Sequence, residues 1–281
     1  MNTASLLFSC KDQVGIIASL TQFFSERGLN ISRYEEYTDD GQFFSRLQWQ
    51  LNDHWEEESD FDTSFQSLAD QYEGDFEVRF RNHCQKVGLF VSKQPHALIE
   101  VLNKQESGFV PDLEISFIIA NDEAIGSVAD RYGIPFFFIP TEGSALEYEK
   151  QQLKIIQRYQ PDYIGLARYM KILSAGFIDK AGCPIINIHH SFLPSFVGAK
   201  PYQMAYDRGV KLIGATSHFV TAELDQGPII EQDVQRVHTA VSVKDMINMG
   251  RDIERRVFVK ALAKVLEHKV IIYKNRTIVF N

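Results

Sequence analysis

Cysteine is scarce in this 281-residue chain. Cys10, Cys84 and Cys183 are odd in number and far apart, so they supply neither a disulfide framework nor a CxxC metal pair. Unpaired thiols fit a reducing compartment, and a cytoplasmic protein is expected. Long apolar runs are also missing. None reaches the roughly 20 residues that cross a bilayer, and the N-terminus lacks the basic-then-apolar pattern of a secretion signal. Positive charge is in deficit, with 29 Lys and Arg against 37 Asp and Glu and a formal net charge of −8. Nucleic-acid and membrane-surface binders need basic patches, so this balance argues against both classes. No low-complexity tract and no repeat at solenoid periods is present. The composition, 44% hydrophobic and 23% charged, is that of a globular chain with ample core, long enough for one large or two ordinary domains.

The stretch from Asn187 to Pro228 carries most of the chemistry. Ile185 to Ile188 is a short apolar run and reads as a buried strand. Asn187, His189 and His190 sit where it stops, and Ser191, Pro194, Ser195 and Gly198 mark the loop that follows. A second loop holds Asp225 just before Gly227-Pro228. Amide, imidazole and carboxylate at the carboxyl ends of buried strands is the arrangement of an open α/β active site.

The rest of the chain divides in two. Ser5 to Cys10 reads as a strand, and Ile16, Ile17, Leu20, Phe23 and Phe24 recur at helical spacing. Asn30 to Thr38 and Phe43 to Leu51 read as strands joined by the Asp39-Asp40-Gly41 turn. A helix over Asp60 to Tyr72 and a strand over Phe76 to Arg81 complete β-α-β-β-α-β, a ferredoxin-like unit. The acidic run Glu56-Glu57-Glu58 reads as a solvated loop and Asn82 to Lys86 as a linker, placing domains at 1–83 and 84–281. Beyond it, apolar runs at Val87 to Val91, Ile115 to Ala120, Pro135 to Ile139 and Tyr163 to Leu166 alternate with helical stretches. That alternation predicts an α/β domain with a mostly parallel, Rossmann-like sheet. Asp245 to His268 reads as a long helix, and the chain closes on a hairpin, Val270 to Tyr273 with Thr277 to Phe280.

The N-terminal unit resembles the ACT family of small regulatory domains through Cys10-Lys11-Asp12-Gln13-Val14-Gly15-Ile16 and Gly28-Leu29-Asn30-Ile31. That resemblance implies a small amino-acid effector near Asp12, Gly15 and Asn30, and assembly into a homo-oligomer. Gly15 and Gly28 also read simply as turn and cap residues, and such a unit can serve as a dimerisation surface alone.

His218 and His238, taken singly, read as ordinary satisfied polar residues. His189 and His190 would point to opposite faces of an extended strand. With no HxxH or HExxH spacing, a metal site is not expected. Asn187-Ile188-His189, Ser191-Phe192-Leu193-Pro194 and Leu224-Asp225-Gln226-Gly227-Pro228 together resemble the signature of the folate-dependent formyltransferase family. The match runs from about Lys86 to the C-terminus. It implies that Asn187, His189 and Asp225 are catalytic. It also implies that the loop containing Leu166, Arg168, Met170, Lys171, Ile172 and Leu173, with Val220, binds the pterin of a folate. The substrate implied is 10-formyltetrahydrofolate, with no permanently bound cofactor.

Three features depart from the amine-formylating members. His190 stands where they usually have proline. The turn Ser92-Lys93-Gln94-Pro95-His96 has no glycine to cradle a phosphate. No room remains for a tRNA-binding domain. The fusion and the paired histidines resemble a hydrolytic subgroup that releases formate and tetrahydrofolate, balancing the one-carbon pool and supplying formate for purine synthesis. Transfer to an amine such as glycinamide ribonucleotide is the alternative. In either case Asn187 and His189 would donate to an oxyanion, and Asp225 would orient water and route a proton. His190 either holds the water or packs.

Overall fold

A computed structural model describes residues 3–51, 58–81, 84–110, 113–194, 201–238 and 241–281. Glu56, Glu57, Asn82, Ser195 and Gly198 of the expectations above lie outside the described residues. Two compact units emerge: Met1–Cys84 with Glu267–Tyr273 and Ile278–Asn281, and Gln85–Leu266 with Lys274–Thr277.

The first unit runs β1 (Thr3–Lys11), α1 (Ile16–Glu26), β2 (Ile31–Asp39), β3 (Gln42–Gln50), α2 (Glu58–Gln71) and β4 (Asp75–Phe80). Its sheet has the order β2-β3-β1-β4, with β3 antiparallel to both β1 and β2, and β4 antiparallel to β1. This is the expected ferredoxin-like unit. In α1, Ile16, Leu20, Phe23 and Phe24 are the buried positions, one helical stripe. They meet Phe61 and Phe65 of α2 and Leu6, Phe8, Leu47 and Trp49 of the sheet. The aromatic rings pack edge-to-face or stacked, Phe24 to Trp49 and Trp49 to Phe61 both at 4.9 Å between centroids.

Strand β1 is buried almost throughout rather than at alternate residues. Successive side chains point to opposite faces, so both faces of the sheet must be covered. Leu6 and Phe8 belong to the helix-covered face, while Leu7 and Phe44 pack with Ile278 and Phe280 from the chain terminus. Arg46, 1% exposed, donates from Nε to the His268 carbonyl at 2.7 Å and from Nη2 to the Glu267 carbonyl at 3.0 Å. His268 Nδ1 lies 2.8 Å from the Ser5 hydroxyl. The sequence division assigned residues 84–281 whole to the second domain. The structure corrects this, because the open face of the first sheet is closed by the C-terminal residues.

The second unit runs β5 (Gln85–Val91), α3 (His96–Glu106), β6 (Leu113–Ala120), a 3-10 turn (Glu123–Ile125), α4 (Gly126–Tyr132), β7 (Phe136–Phe138), α5 (Ala145–Tyr159), β8 (Tyr163–Ala167), α6 (Ala175–Ala181), β9 (Ile185–His189), α7 (Pro201–Arg208), β10 (Leu212–Phe219), β11 (Ile229–Arg236) and α8 (Val243–Leu266). Two short strands, β12 (Val270–Tyr273) and β13 (Arg276–Val279), end the chain as a separate pair. The seven-stranded sheet has the order β11-β10-β9-β8-β5-β6-β7. Pairings from β7 to β9 are parallel, and β10 is antiparallel to both β9 and β11. Order is not sequential: β5 lies between β6 and β8, so the chain leaves β7 and returns on the other side of β5. That reversal is a switch point, where strand ends diverge and open a crevice.

Some sequence expectations move. Gln85 and Lys86 belong to β5 rather than to a linker, because they pair with Leu113 and Glu114. Helix α8 stops at Leu266, and His268 adopts a positive φ of 53°. Strands β10 and β11 and helices α6 and α7 were not separately anticipated. Among the described residues no helix is long and apolar enough to cross a membrane.

Candidate active site

Strand pairing assembles the site. Asn187 and His189 are two apart on β9, so their side chains share a face. Antiparallel β10 places His218 directly opposite Asn187 and Thr216 opposite His189. Directly paired residues project to the same side, so an amide and two imidazoles meet there. Thr216 serves the backbone instead. Its hydroxyl donates to the Ser191 carbonyl at 2.9 Å and accepts from the Leu193 amide at 3.0 Å, holding the turn after β9.

Asp225 closes the group. Its carboxylate accepts from His189 Nδ1 at 3.2 Å and lies 3.6 Å from His218 Nε2. Hydrogen bonding from His189, then from His218, outweighs partial burial and holds the carboxyl well below the ordinary carboxylate range. The His218 Nδ1 donates to the Phe219 carbonyl at 2.8 Å, since a carbonyl oxygen only accepts. Its Nε2 is left facing Asn187 Nδ2 at 3.3 Å as well as Asp225. Neutral, that nitrogen accepts from the amide, whereas protonated it donates to the carboxylate. His189 Nε2 is buried and has no hydrogen-bond partner among the described residues. With Nδ1 committed to Asp225, that atom is the one available for chemistry.

Backbone geometry sets the carboxylate. Asp225 has a φ of 55°, in the left-handed region that aspartate tolerates better than most residues. Two residues on, Gly227 lies against β10. An added Cβ there would fall 1.8 Å from the Phe219 carbonyl oxygen. The Phe219 amide donates to the Pro228 carbonyl at 2.9 Å, pinning this loop to the end of β10.

A cavity of about 350 Å³ opens onto the cluster. Each expected catalytic residue, Asn187, His189 and Asp225, lines it, as do His190, Leu166, Arg168, Met170, Lys171, Ile172, Leu173 and Val220. The loop after β8 is firmly held although Met170 and Ile172 are exposed. Tyr169 accepts from Gln152 at 2.7 Å, the Met170 amide donates to the Ser92 hydroxyl at 3.0 Å, and Ser174 donates to the buried Glu149 from both its amide and its hydroxyl. Apolar side chains thus flank the cavity on a loop whose backbone is held by hydrogen bonds.

Two sequence expectations fail here. His218 is not an ordinary satisfied histidine; it is 2% exposed and part of the cluster. The missed element was the strand Leu212–Phe219, whose antiparallel register brings residue 218 opposite 187 and whose Thr216-Ser217-His218 stretch breaks the apolar pattern. His189 and His190 do not point to opposite faces. Their rings stack at 5.0 Å between centroids and 12° between planes, because β9 ends at His189 and the extended geometry ends with it. Among the described residues no group of three or more His, Cys, Asp or Glu side chains is placed to hold a metal ion. In the first unit, Asp12 and Gly15 lie in the exposed turn before α1 and Asn30 lies just before β2, with no hydrogen bond joining their side chains among the described residues.

An α/β sheet with this cluster and crevice defines a formyl-transfer type of catalytic unit, and residues 85–262 match the formyl transferase family. Formyltetrahydrofolate deformylases from Synechocystis sp. and Bacillus subtilis are each 42% identical to the chain. The first alignment covers 99% of this chain and 98% of the relative, the second 98% and 93%. The crystal structure of a formyltetrahydrofolate deformylase from Pseudomonas syringae superposes with a TM-score of 0.95 at 36% identity, covering all of this chain and 95% of that one. Glycinamide ribonucleotide transformylase 1 from Symbiobacterium toebii is more distant, with a TM-score of 0.67 at 27% identity over 73% of this chain and 98% of that one. The chain belongs to the formyltetrahydrofolate deformylase family.

Gly227→Ala tests how the carboxylate is held. The collision with Phe219 should push the loop outward and separate Asp225 from His189 beyond hydrogen-bond reach while the far-ultraviolet circular dichroism stays that of the wild type. A crystal structure of the variant that retains the 3.2 Å pair would refute this account of the loop.

Proposed function

We propose that the protein hydrolyses 10-formyltetrahydrofolate to formate and tetrahydrofolate, with Asn187, His189 and Asp225 as its catalytic residues. The observation that carries this reading is the ionised Asp225, held between His189 and His218 at the edge of a slot suited to a pterin. The slot residues Leu166, Arg168, Met170, Lys171, Ile172, Leu173 and Val220 take the folate ring. Water adds to the formyl carbon, forming a C–O bond and placing negative charge on the formyl oxygen. Asn187 Nδ2 and a proton on His189 Nε2 donate to that oxyanion, and one such donor contributes on the order of 3 kcal/mol to lowering the barrier. Asp225 fixes the His189 ring by accepting from Nδ1 and orients the water, whose proton passes to the folate nitrogen as the C–N bond breaks. His218 is a positioning residue, its Nε2 placed to hold either Asp225 Oδ1 or the Asn187 amide according to its protonation. His190, stacked on His189, fixes the ring plane.

No covalent nucleophile is needed. Among the described residues neither serine nor cysteine lines the cavity, and the Thr221 hydroxyl donates to the Glu223 carbonyl at 3.1 Å. In this reading water is the nucleophile and no cofactor is permanently bound. It replenishes tetrahydrofolate for the one-carbon pool and supplies formate for purine synthesis. Three free cysteines support a cytoplasmic setting. The first unit is an ACT-type regulatory domain. Its nine-residue edge strand β2 supports assembly into a homo-oligomer, and the Asp12, Gly15 and Asn30 region takes a small amino-acid effector.

Three outcomes are expected. Asp225→Asn lowers kcat about 10²-fold. Because the carboxyl is held below its ordinary range, it stays ionised as pH falls, and its contribution is lost only on passing well below pH ~4. Near-normal turnover by Asp225→Asn at neutral pH rejects the assignment. Formate should appear at one rate with or without glycinamide ribonucleotide; acceleration by the amine, with formylated amine as product, would make the protein a transferase. Calorimetry across the proteinogenic amino acids should give saturable binding of at least one, and its absence for all reduces the first unit to an assembly surface.

A further inference from the structure

A second buried polar cluster lies beside the cavity and is not used by the chemistry above. Glu254, on α8, is 1% exposed. Its Oε2 accepts from His96 Nε2 at 2.7 Å and its Oε1 accepts from the Tyr202 hydroxyl at 2.8 Å. Arg168, at the start of the slot loop, brings its Nε to 3.5 Å from the same carboxylate. Burial alone would push the Glu254 carboxyl up, but the His96 hydrogen bond and the Arg168 charge outweigh it and leave the group below its ordinary range. A buried carboxylate with a buried guanidinium is costly to assemble unless each opposes the other.

The neighbouring groups tie this cluster to the active site. Arg168 lines the cavity. The ring of Tyr202 is 6.4 Å from that of His190, which stacks on His189. Gly250, one turn before Glu254 on α8, lets the Tyr202 hydroxyl approach; an added Cβ would lie 2.0 Å from it. Arg251 on the same helix turn is occupied by Gln94 at 2.9 Å. Two nitrogens of Arg168, Nε and Nη1, are buried without hydrogen-bond partners among the described residues, so its positive charge is met by Glu254 through space and its donors are unspent.

We infer that Glu254 is a specificity-determining residue, which cancels the charge of Arg168 in the cavity wall and so denies that guanidinium as an anchor to a phosphate-bearing acceptor. The inference rests on the hydrolytic reading and says why this arginine, although it lines the cavity, does not recruit such an acceptor in place of water. A ribonucleotide amine carries a phosphate, and binding it beside the formyl group needs an unopposed cation or a nest of amides. Here the guanidinium that faces the cavity already has its counter-charge. Water needs no such anchor. Removing the negative charge while keeping the shape leaves Arg168 with donors and charge free for an anion.

The test uses inorganic phosphate as probe on the full-length protein, by calorimetry and by inhibition of formate release. Glu254→Gln should bind phosphate about tenfold or more tightly than the wild type, the worth of one charge-assisted hydrogen bond, and its turnover should become phosphate-sensitive in parallel. Adding Arg168→Gln to that variant should abolish the gain. Glu254→Asp keeps a buried carboxylate but withdraws it from Arg168, so it should show a smaller gain in the same direction; it carries the test if Glu254→Gln does not fold. A wild type that binds phosphate as tightly as the variants, folded variants with no gain, or a gain that survives loss of Arg168 would each overturn the inference. Failure of the hydrolytic reading is distinguishable, since it appears as absence of formate from the wild type while the calorimetric comparison still stands.

Discussion

The antiparallel pairing of β10 with β9 is the constraint on which the site depends. Every other pairing from β7 to β9 is parallel, and a parallel neighbour at this edge would have entered from the opposite end. Because β10 runs back, His218 stands opposite Asn187, and the chain leaves β10 beside the start of β9, where the Val220 amide donates to the Ile185 carbonyl at 2.8 Å. The loop carrying Asp225 starts there and must fold back along β10 to reach the two imidazoles. Its positive φ and the tight passage of Gly227 under the Phe219 carbonyl then aim the carboxylate back at them.

Charge is distributed in the second unit as two separate buried systems. In one, Asp225 is matched by His189 and His218 and is drawn below its ordinary range by their hydrogen bonds. In the other, Glu254 is matched by His96, Tyr202 and Arg168. Both follow the rule that a carboxylate removed from water survives only with donors or an opposite charge at hand. The difference lies in what is left over. Asp225 leaves His189 Nε2 without a partner among the described residues beside the cavity, whereas Glu254 sets its charge against Arg168 in the wall.

The slot owes its order to polar groups behind it rather than to the apolar side chains that face it. Glu149, Gln152 and Ser92 hold the loop after β8 from below through Ser174, Tyr169 and Met170. Met170, Ile172 and Leu224 can then stay exposed without the backbone losing its position. A slot held in this way presents a fixed apolar surface, and a flat ring can enter it without first ordering the loop.

Much of this was legible in the sequence because it depends on local pattern. The alternation of apolar runs with helical stretches is written in periods of two and 3.6, and it identified the ferredoxin-like unit and the mostly parallel sheet as far as β9, while β10, β11, α6 and α7 were not separately legible. Asn187, His189 and Asp225 stood out because polar residues interrupt apolar strands only where something requires them, and all three line the cavity. The role of His218 was not legible, since a lone histidine in a strand acquires meaning only from the residue paired with it across the sheet. Stacking of His189 on His190 depended on where β9 ends, and the grouping of the C-terminal strands with the first unit depended on an uncovered face of a sheet more than 200 residues earlier, as the 222-residue separation of Arg46 from His268 records. The same holds for Glu254 and Arg168, each an ordinary charged residue in sequence. Spacing along the chain determined which elements form; register, strand ends and buried charge pairing belong to tertiary structure, because they are relations between residues that local periodicity does not connect.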